Sequence, residues 1–488
     1  MKRLVVAFLT VWVMRVFPQG SLLIQRASIA DGTGKPLFAG DVRISGDRIG
    51  AIGSLQPKKG ERTLEAHGLV LAPGFIDLHN HSSNPELDLD AESQVSQGIT
   101  TMLLGQDGGS PLPIAEYLDK RKQQPAAFNL QTLVGHASVR QKVMGSDYKR
   151  AATGAEIQQM AALVEQSMRE GAVGLSSGLE YEVGSYSTTE EVIELAKASS
   201  KYGGIYVTHM RDEGDKLFDS LREAIQIAEQ AHLPLEISHI KLGSAAVWGK
   251  AGEAVALIES AQKRGVDVTA DCYPYDAWAS TIKVLVLDKR YDDAGSVAKG
   301  LSDVGGPENV TVTACDAHPG YKNRNLLEIA KAEGVTPVAL YSSIVRDGGA
   351  GIVCKAMKPD DMKVFYRQPW VMIGSDGGIG MRHPRGAGTF PRVLAVYVRE
   401  QHVLTLPEAL RKMTSAPAHR LGLADRGEIR QGAFADLVLF DPKTVQDRAT
   451  FADPLLLSSG IENVFVNGEL VWNSGKPTGK HPGRVLSK

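Results

Sequence analysis

Two hydrophobic rhythms alternate through the middle of the chain. Short, mostly apolar runs recur at 74–78, 99–104, 128–134, 172–175, 204–207, 235–237, 266–270 and 371–373. Each is too short for a helix and reads as a buried strand. Helical patterns lie between them, several with readable ends. One covers 156–170 and stops at Gly171. Another opens on Thr188 with Glu191 three residues on, a capping box, and stops at Gly203. A third covers 250–264 and stops at Gly265. Strands alternating with helices predict a parallel sheet, and eight strands predict its closed form, an α/β (β/α)8 TIM barrel over 73–424. The gap from 271 to 370 is about twice the usual repeat, so an insertion is expected at about 285–355. Outside the barrel the rhythm changes. Segments 21–72 and 425–488 are rich in short strands, and Asn467-Gly468 between two of them is a hairpin signal.

The first residues form a separate unit. Lys2 and Arg3 precede an apolar run, 4–14, and then Arg15. That pattern is expected of a secretory signal peptide over 1–20, although no A-x-A cleavage site follows. It predicts a periplasmic or secreted protein with no stable membrane association once the signal is removed. The alternatives are an uncleaved anchor, or a spurious upstream start on a cytoplasmic protein.

Composition narrows the class. Of 488 residues, 43% are hydrophobic and 23% charged, enough for a large core, which excludes disorder and coiled coil as the main architecture. Lys and Arg total 54 against 56 Asp and Glu, so no basic field exists to hold nucleic acid. Cys272, Cys315 and Cys354 include no CxxC pair, which argues against a disulfide framework or zinc ribbon.

Candidate chemistry lies where the strands end, the face on which barrels carry their sites. The first strand runs into His79 and His81, the fifth into His209, the sixth into His239 and the eighth into Asp376. Alternate residues of a strand share a side, so His79 and His81 aim together. Alone, His209 or His239 reads as a hydrogen-bonded core residue and Asp376 as a turn residue. Four histidines and an aspartate on one face, from four strands, point instead to a metal site of imidazole and carboxylate donors. His136 ends the third strand and stands apart from this group.

These residues resemble the amidohydrolase superfamily, and further stretches resemble its D-aminoacylase (N-acyl-D-amino-acid deacylase) family. They are Gly98-Ile99-Thr100-Thr101, Gly174-Leu175-Ser176-Ser177-Gly178-Leu179, His209-Met210-Arg211-Asp212-Glu213, Ser238-His239-Ile240-Lys241 and the block from His383 to Arg392. The resemblance covers about 22–480. It implies that both termini join in one small β-sandwich domain beside the barrel. It also implies one or two divalent ions, Zn2+ or another first-row metal, and a small N-acyl amino acid as substrate. Asp376 is then the proton carrier. Lys241 and Arg385 hold the substrate carboxylate, Tyr273 stabilises the oxyanion, and Ser280 touches the substrate.

One departure matters. The family carries a metal-binding cysteine after the second strand, where this chain has Gly105-Gln106-Asp107-Gly108. Two carboxylates are available to replace it. Glu180, after the fourth strand, is the favoured bridge; Asp107 is the alternative. The expected activity is hydrolysis of N-acyl-D-amino acids. A dipeptidase for D-residue peptides and a catalytically dead barrel serving as a binding protein are the competing readings.

Overall fold

A computed structural model of the chain describes residues 21–84 and 88–487. The expected signal segment lies outside the described residues. Eight parallel strands build the barrel: Phe75–Asp77, Ile99–Leu104, Asn129–Thr132 continued by Val134–Gly135, Gly174–Gly178, Ile205–His209, Leu235–Ile237, Val268–Cys272 and Val371–Ile373. The third strand breaks at Leu133. Its first half pairs with the second strand and its second half with the fourth. The ring closes beyond the eighth strand, where the His81 N–H donates to the Gly377 carbonyl at 2.7 Å. That closure sets the His79–His81 end beside Asp376. Nearly every strand residue is buried, because helices cover the outer face and side chains fill the inner one, so the apolar runs are continuous rather than alternating.

The helix ends follow their local sequence. Thr153 and Glu156 close a full capping box on Gly154–Glu170, and Gly171 ends that helix in the left-handed region at φ 115°. Thr188 caps Thr189–Ser200 by accepting from the Glu191 N–H at 3.2 Å. The expected box is only half made, however. The Glu191 carboxylate turns inward to His136 Nε2 at 2.9 Å and to the Arg140 guanidinium, all three side chains being fully buried. His136 therefore belongs to a buried latch, in which Arg140 also donates to the Tyr148 carbonyl at 3.0 Å.

The two termini share one nine-stranded sheet. Val70–Pro73 pairs with Leu437–Phe440, which stitches them together over a core that includes Ile24, Val42, Leu71, Leu439 and Phe465. The last residues continue past this domain. Leu130 in the third barrel strand donates to the Arg484 carbonyl, and Leu486 donates to the Leu130 carbonyl. The insertion starts earlier than expected. Trp278–Thr281 already pairs antiparallel with Gly351–Cys354, which in turn pairs with Val310–Ala314. Helices Ala294–Asp303, Leu326–Glu333 and Pro337–Arg346 pack on that small sheet around a core of their own.

Candidate active site

Four imidazoles meet at the mouth of the barrel. Nε2 of His79 and of His81 are 3.2 Å apart. Nδ1 of His209 and Nε2 of His239 are 3.0 Å apart. Between the two pairs lies the Asp107 carboxylate, 3.6 Å from His79, 3.7 Å from His81, and 3.9 Å from both His209 and His239. Asp376 closes the first pair, 3.0 Å from His81 and 3.4 Å from His79.

The ring nitrogens facing outward meet a second set of carboxylates. Glu180 lies 2.7 Å from Nε2 of His209, Glu213 3.0 Å from Nδ1 of His239, and Asp271 3.7 Å from Nδ1 of His79. This arrangement corrects the expectation for Glu180. The place between the histidine pairs belongs to Asp107, whereas Glu180 backs a single ring from behind. The backbone explains why. Asp107 sits in the left-handed region at φ 55°, followed by Gly108 at φ 78°, so the chain turns its carboxylate inward directly after the second strand. A Cβ at Gly178 would stand 2.3 Å from the Asp107 carbonyl oxygen, so glycine there allows the approach.

The donor set fits a divalent cation. Asp107 Oδ1, between the two histidine pairs, is buried without a hydrogen-bond partner. Burial alone lowers the pKa of His79 and His209, yet both are raised to about 9, His79 chiefly by Asp376 and Asp271, His209 by Glu213 and Glu180. A buried cluster this rich in carboxylates calls for positive charge. Single donor atoms from His79, Asp107, His239 and Asp376 lie within 4.8 Å of one another, as do those from His209, Glu213 and His239. Imidazole and carboxylate donors suit zinc and its first-row neighbours.

These groups open on a cavity of about 260 Å³, whose wall also holds Lys241, Arg385, Tyr181 and Ser280. Arg385 lies 2.7 Å from Asp376, and Lys241 is ion-paired with Glu213. Tyr181 donates to Asp107 at 3.3 Å. The Tyr273 expectation needs correction. Its ring is buried off the cavity wall, its hydroxyl meets Met357 Sδ at 3.7 Å, and its face lies 4.7 Å from the Arg385 guanidinium. In this arrangement its ring face supports Arg385, and its hydroxyl does not line the cavity. Tyr181, Glu213 and Asp271 escaped the sequence reading. Asp271 lies in the seventh strand, and Tyr181 and Glu213 follow the fourth and fifth by three and four residues, so no spacing of histidines points to them.

The chain's similarities fit this geometry. The model described as "Amidohydrolase family" matches residues 62–472. A D-aminoacylase of Alcaligenes xylosoxydans xylosoxydans is 38% identical, over 96% of this chain and 97% of that protein. An N-acyl-D-glutamate deacylase of the same organism is 34% identical, over 96% of each chain. A crystal structure of D-aminoacylase superposes with a TM-score of 0.87 at 36% identity, covering 96% of this chain and 99% of the other. The N-acyl-D-glutamate deacylase of Bordetella bronchiseptica, complexed with zinc and a phosphonate mimic of the tetrahedral intermediate, gives 0.87 at 32% identity with the same coverage.

Proposed function

Since the chain belongs to the amidohydrolase family, we propose that it hydrolyses the amide bond of N-acyl-D-amino acids, releasing a carboxylate and a free D-amino acid. The observation that carries this reading is one cavity wall joining the histidine–aspartate cluster to two buried cations, Lys241 and Arg385. The D-aminoacylase and deacylase similarities supply the substrate class.

His79, His81, His209, His239 and Asp376 would hold one or two divalent ions, with Asp107 shared between the histidine pairs. When bound, such an ion acidifies a water and polarises the scissile carbonyl. Asp376 takes the proton from the attacking water and passes it to the leaving nitrogen. Burial alone would raise the Asp376 pKa, but Arg385, His239 and His79 hold it well below the ordinary carboxylate range, so it starts deprotonated. Lys241 and Arg385 receive the substrate carboxylate. The Tyr181 hydroxyl, on the same wall, turns its one proton from Asp107 to the carbonyl oxygen as charge builds there.

The dipeptidase reading needs a free carboxylate near the acyl side to receive an amine. Asp215 and Asp303 line the cavity, but Lys299 already bridges them at 2.5 Å and 2.7 Å. The deacylase reading is therefore favoured. The same wall argues for a neutral, apolar side chain. Trp278, Val284, Leu285, Leu287 and Val304 line it, and among the described residues its only Lys or Arg side chains are Lys241 and Arg385. A second carboxylate, as in N-acyl-D-glutamate, would meet this apolar wall, with Lys299 already held by Asp215 and Asp303. Turnover of N-acetyl-D-leucine compared with N-acetyl-D-glutamate tests this, with at least a hundredfold preference expected in kcat/KM. Equal turnover would overturn the side-chain assignment.

A further inference from the structure

Glu213 stands between the ligand cluster and the substrate cations. It lies four residues past His209, and its side chain is 10% exposed. One carboxylate oxygen pairs with the Lys241 ammonium. The other lies 3.0 Å from Nδ1 of His239, without a well-aligned hydrogen bond. Nζ of Lys241 is itself 2.7 Å from that Nδ1. The Glu213 backbone is pinned, because its carbonyl accepts from the Gly243 N–H at 2.7 Å. A Cβ at Gly243 would come within 2.9 Å of that oxygen.

We propose that Glu213 is a positioning residue with two dependents, the imidazole of His239 and the ammonium of Lys241. His239 turns Nε2 inward, 3.9 Å from Asp107. For Nε2 to donate its electron pair to an ion, the proton must sit on Nδ1. With the proton there, Nδ1 can no longer accept from the Lys241 ammonium 2.7 Å away, and both groups need an acceptor. A carboxylate has two acceptor oxygens and satisfies both. A glutamine amide offers one acceptor and one donor, so it must turn an NH2 against one of them. Glu213 thus couples metal retention to the cation that receives the substrate carboxylate.

The test uses the full chain carrying Glu213→Gln, Glu213→Asp or Lys241→Met, loaded with zinc. Its first arm is chelator titration with zinc counted per chain, which needs no substrate. Glu213→Gln should release zinc at about 10–100-fold lower chelator concentration. Lys241→Met, which leaves Glu213 to His239, should hold zinc as the wild type does. Glu213→Asp keeps both acceptors and should recover part of the loss, so the comparison stands even if the glutamine variant folds poorly. The second arm rests on the deacylase reading. KM for N-acetyl-D-leucine should rise at least tenfold in both Glu213→Gln and Lys241→Met. Wild-type zinc retention in Glu213→Gln overturns the proposal, and so does equal zinc loss in Lys241→Met. If the wild type hydrolyses no N-acyl-D-amino acid, the deacylase reading fails while the zinc arm still decides this one.

Discussion

Asp107→Asn compared with Glu180→Gln separates the two bridge assignments. Each substitution keeps size and removes one charge, but the charges differ in place. Asp107 lies 3.6–3.9 Å from all four ring nitrogens at the centre of the cluster. Unit charges at such distances interact by about 4–5 kcal/mol at an effective dielectric of about 20. A divalent cation held there loses at least that much, so its affinity falls by at least about a thousandfold at 1.4 kcal/mol per tenfold. Glu180 meets only His209 of the four, at the nitrogen turned away from Asp107. Losing such an outer partner costs about 10–100-fold in metal affinity. The assay is dialysis against graded chelator, with zinc per chain measured by elemental analysis. The expected order of retention is wild type, then Glu180→Gln, then Asp107→Asn, with at least tenfold between the variants. If Glu180→Gln loses zinc first, Glu180 is the shared ligand and the assignment of Asp107 is wrong.

Three further outcomes follow from named contacts. Asp376→Asn should lower kcat by about 10²–10⁴-fold, the range for a proton carrier, with an unchanged circular dichroism spectrum; turnover near the wild type would remove Asp376 from that role. Leu287→Arg adds a cation to an apolar stretch of cavity wall at a side chain that is itself 44% exposed. It should raise kcat/KM for N-acetyl-D-glutamate relative to N-acetyl-D-leucine at least tenfold, and no change would mean that this wall does not contact the side chain. Glu191→Ala strands the buried Arg140 and should cost about 3–5 kcal/mol in urea unfolding. A loss under about 1 kcal/mol would show that the latch relaxes without its carboxylate.

Much of this architecture is legible in the sequence, for a physical reason. Barrel strands buried on both faces must be continuously apolar, so eight such runs mark eight strands, and the polar residues after each mark one face of the barrel. His79, His81, His209, His239 and Asp376 stand out by that logic, and the fold brings them together. What stayed hidden depends on contacts across the chain. The break at Leu133 divides one run between two neighbours, which no periodicity records. Trp278–Thr281 belongs to the insertion because of a partner strand more than 70 residues later. Glu191 reads as a capping residue until His136 and Arg140 claim its carboxylate. The exchange between Asp107 and Glu180 is of the same kind. Both carboxylates follow strands, and only the backbone, left-handed at Asp107 and approached closely at Gly178, decides which one enters the cluster. Tyr273 follows the seventh strand as expected, yet its ring leaves the cavity to lie against Arg385.

The central claim, hydrolysis of N-acyl-D-amino acids, is tested most directly by one panel. Zinc-loaded enzyme is given matched N-acetyl-D- and N-acetyl-L-leucine, methionine and phenylalanine, and the free amino acid is measured. The account predicts release from the D-enantiomers, with L-enantiomers at least a hundredfold slower. Equal release from both enantiomers, or release from the L-series alone, would contradict it.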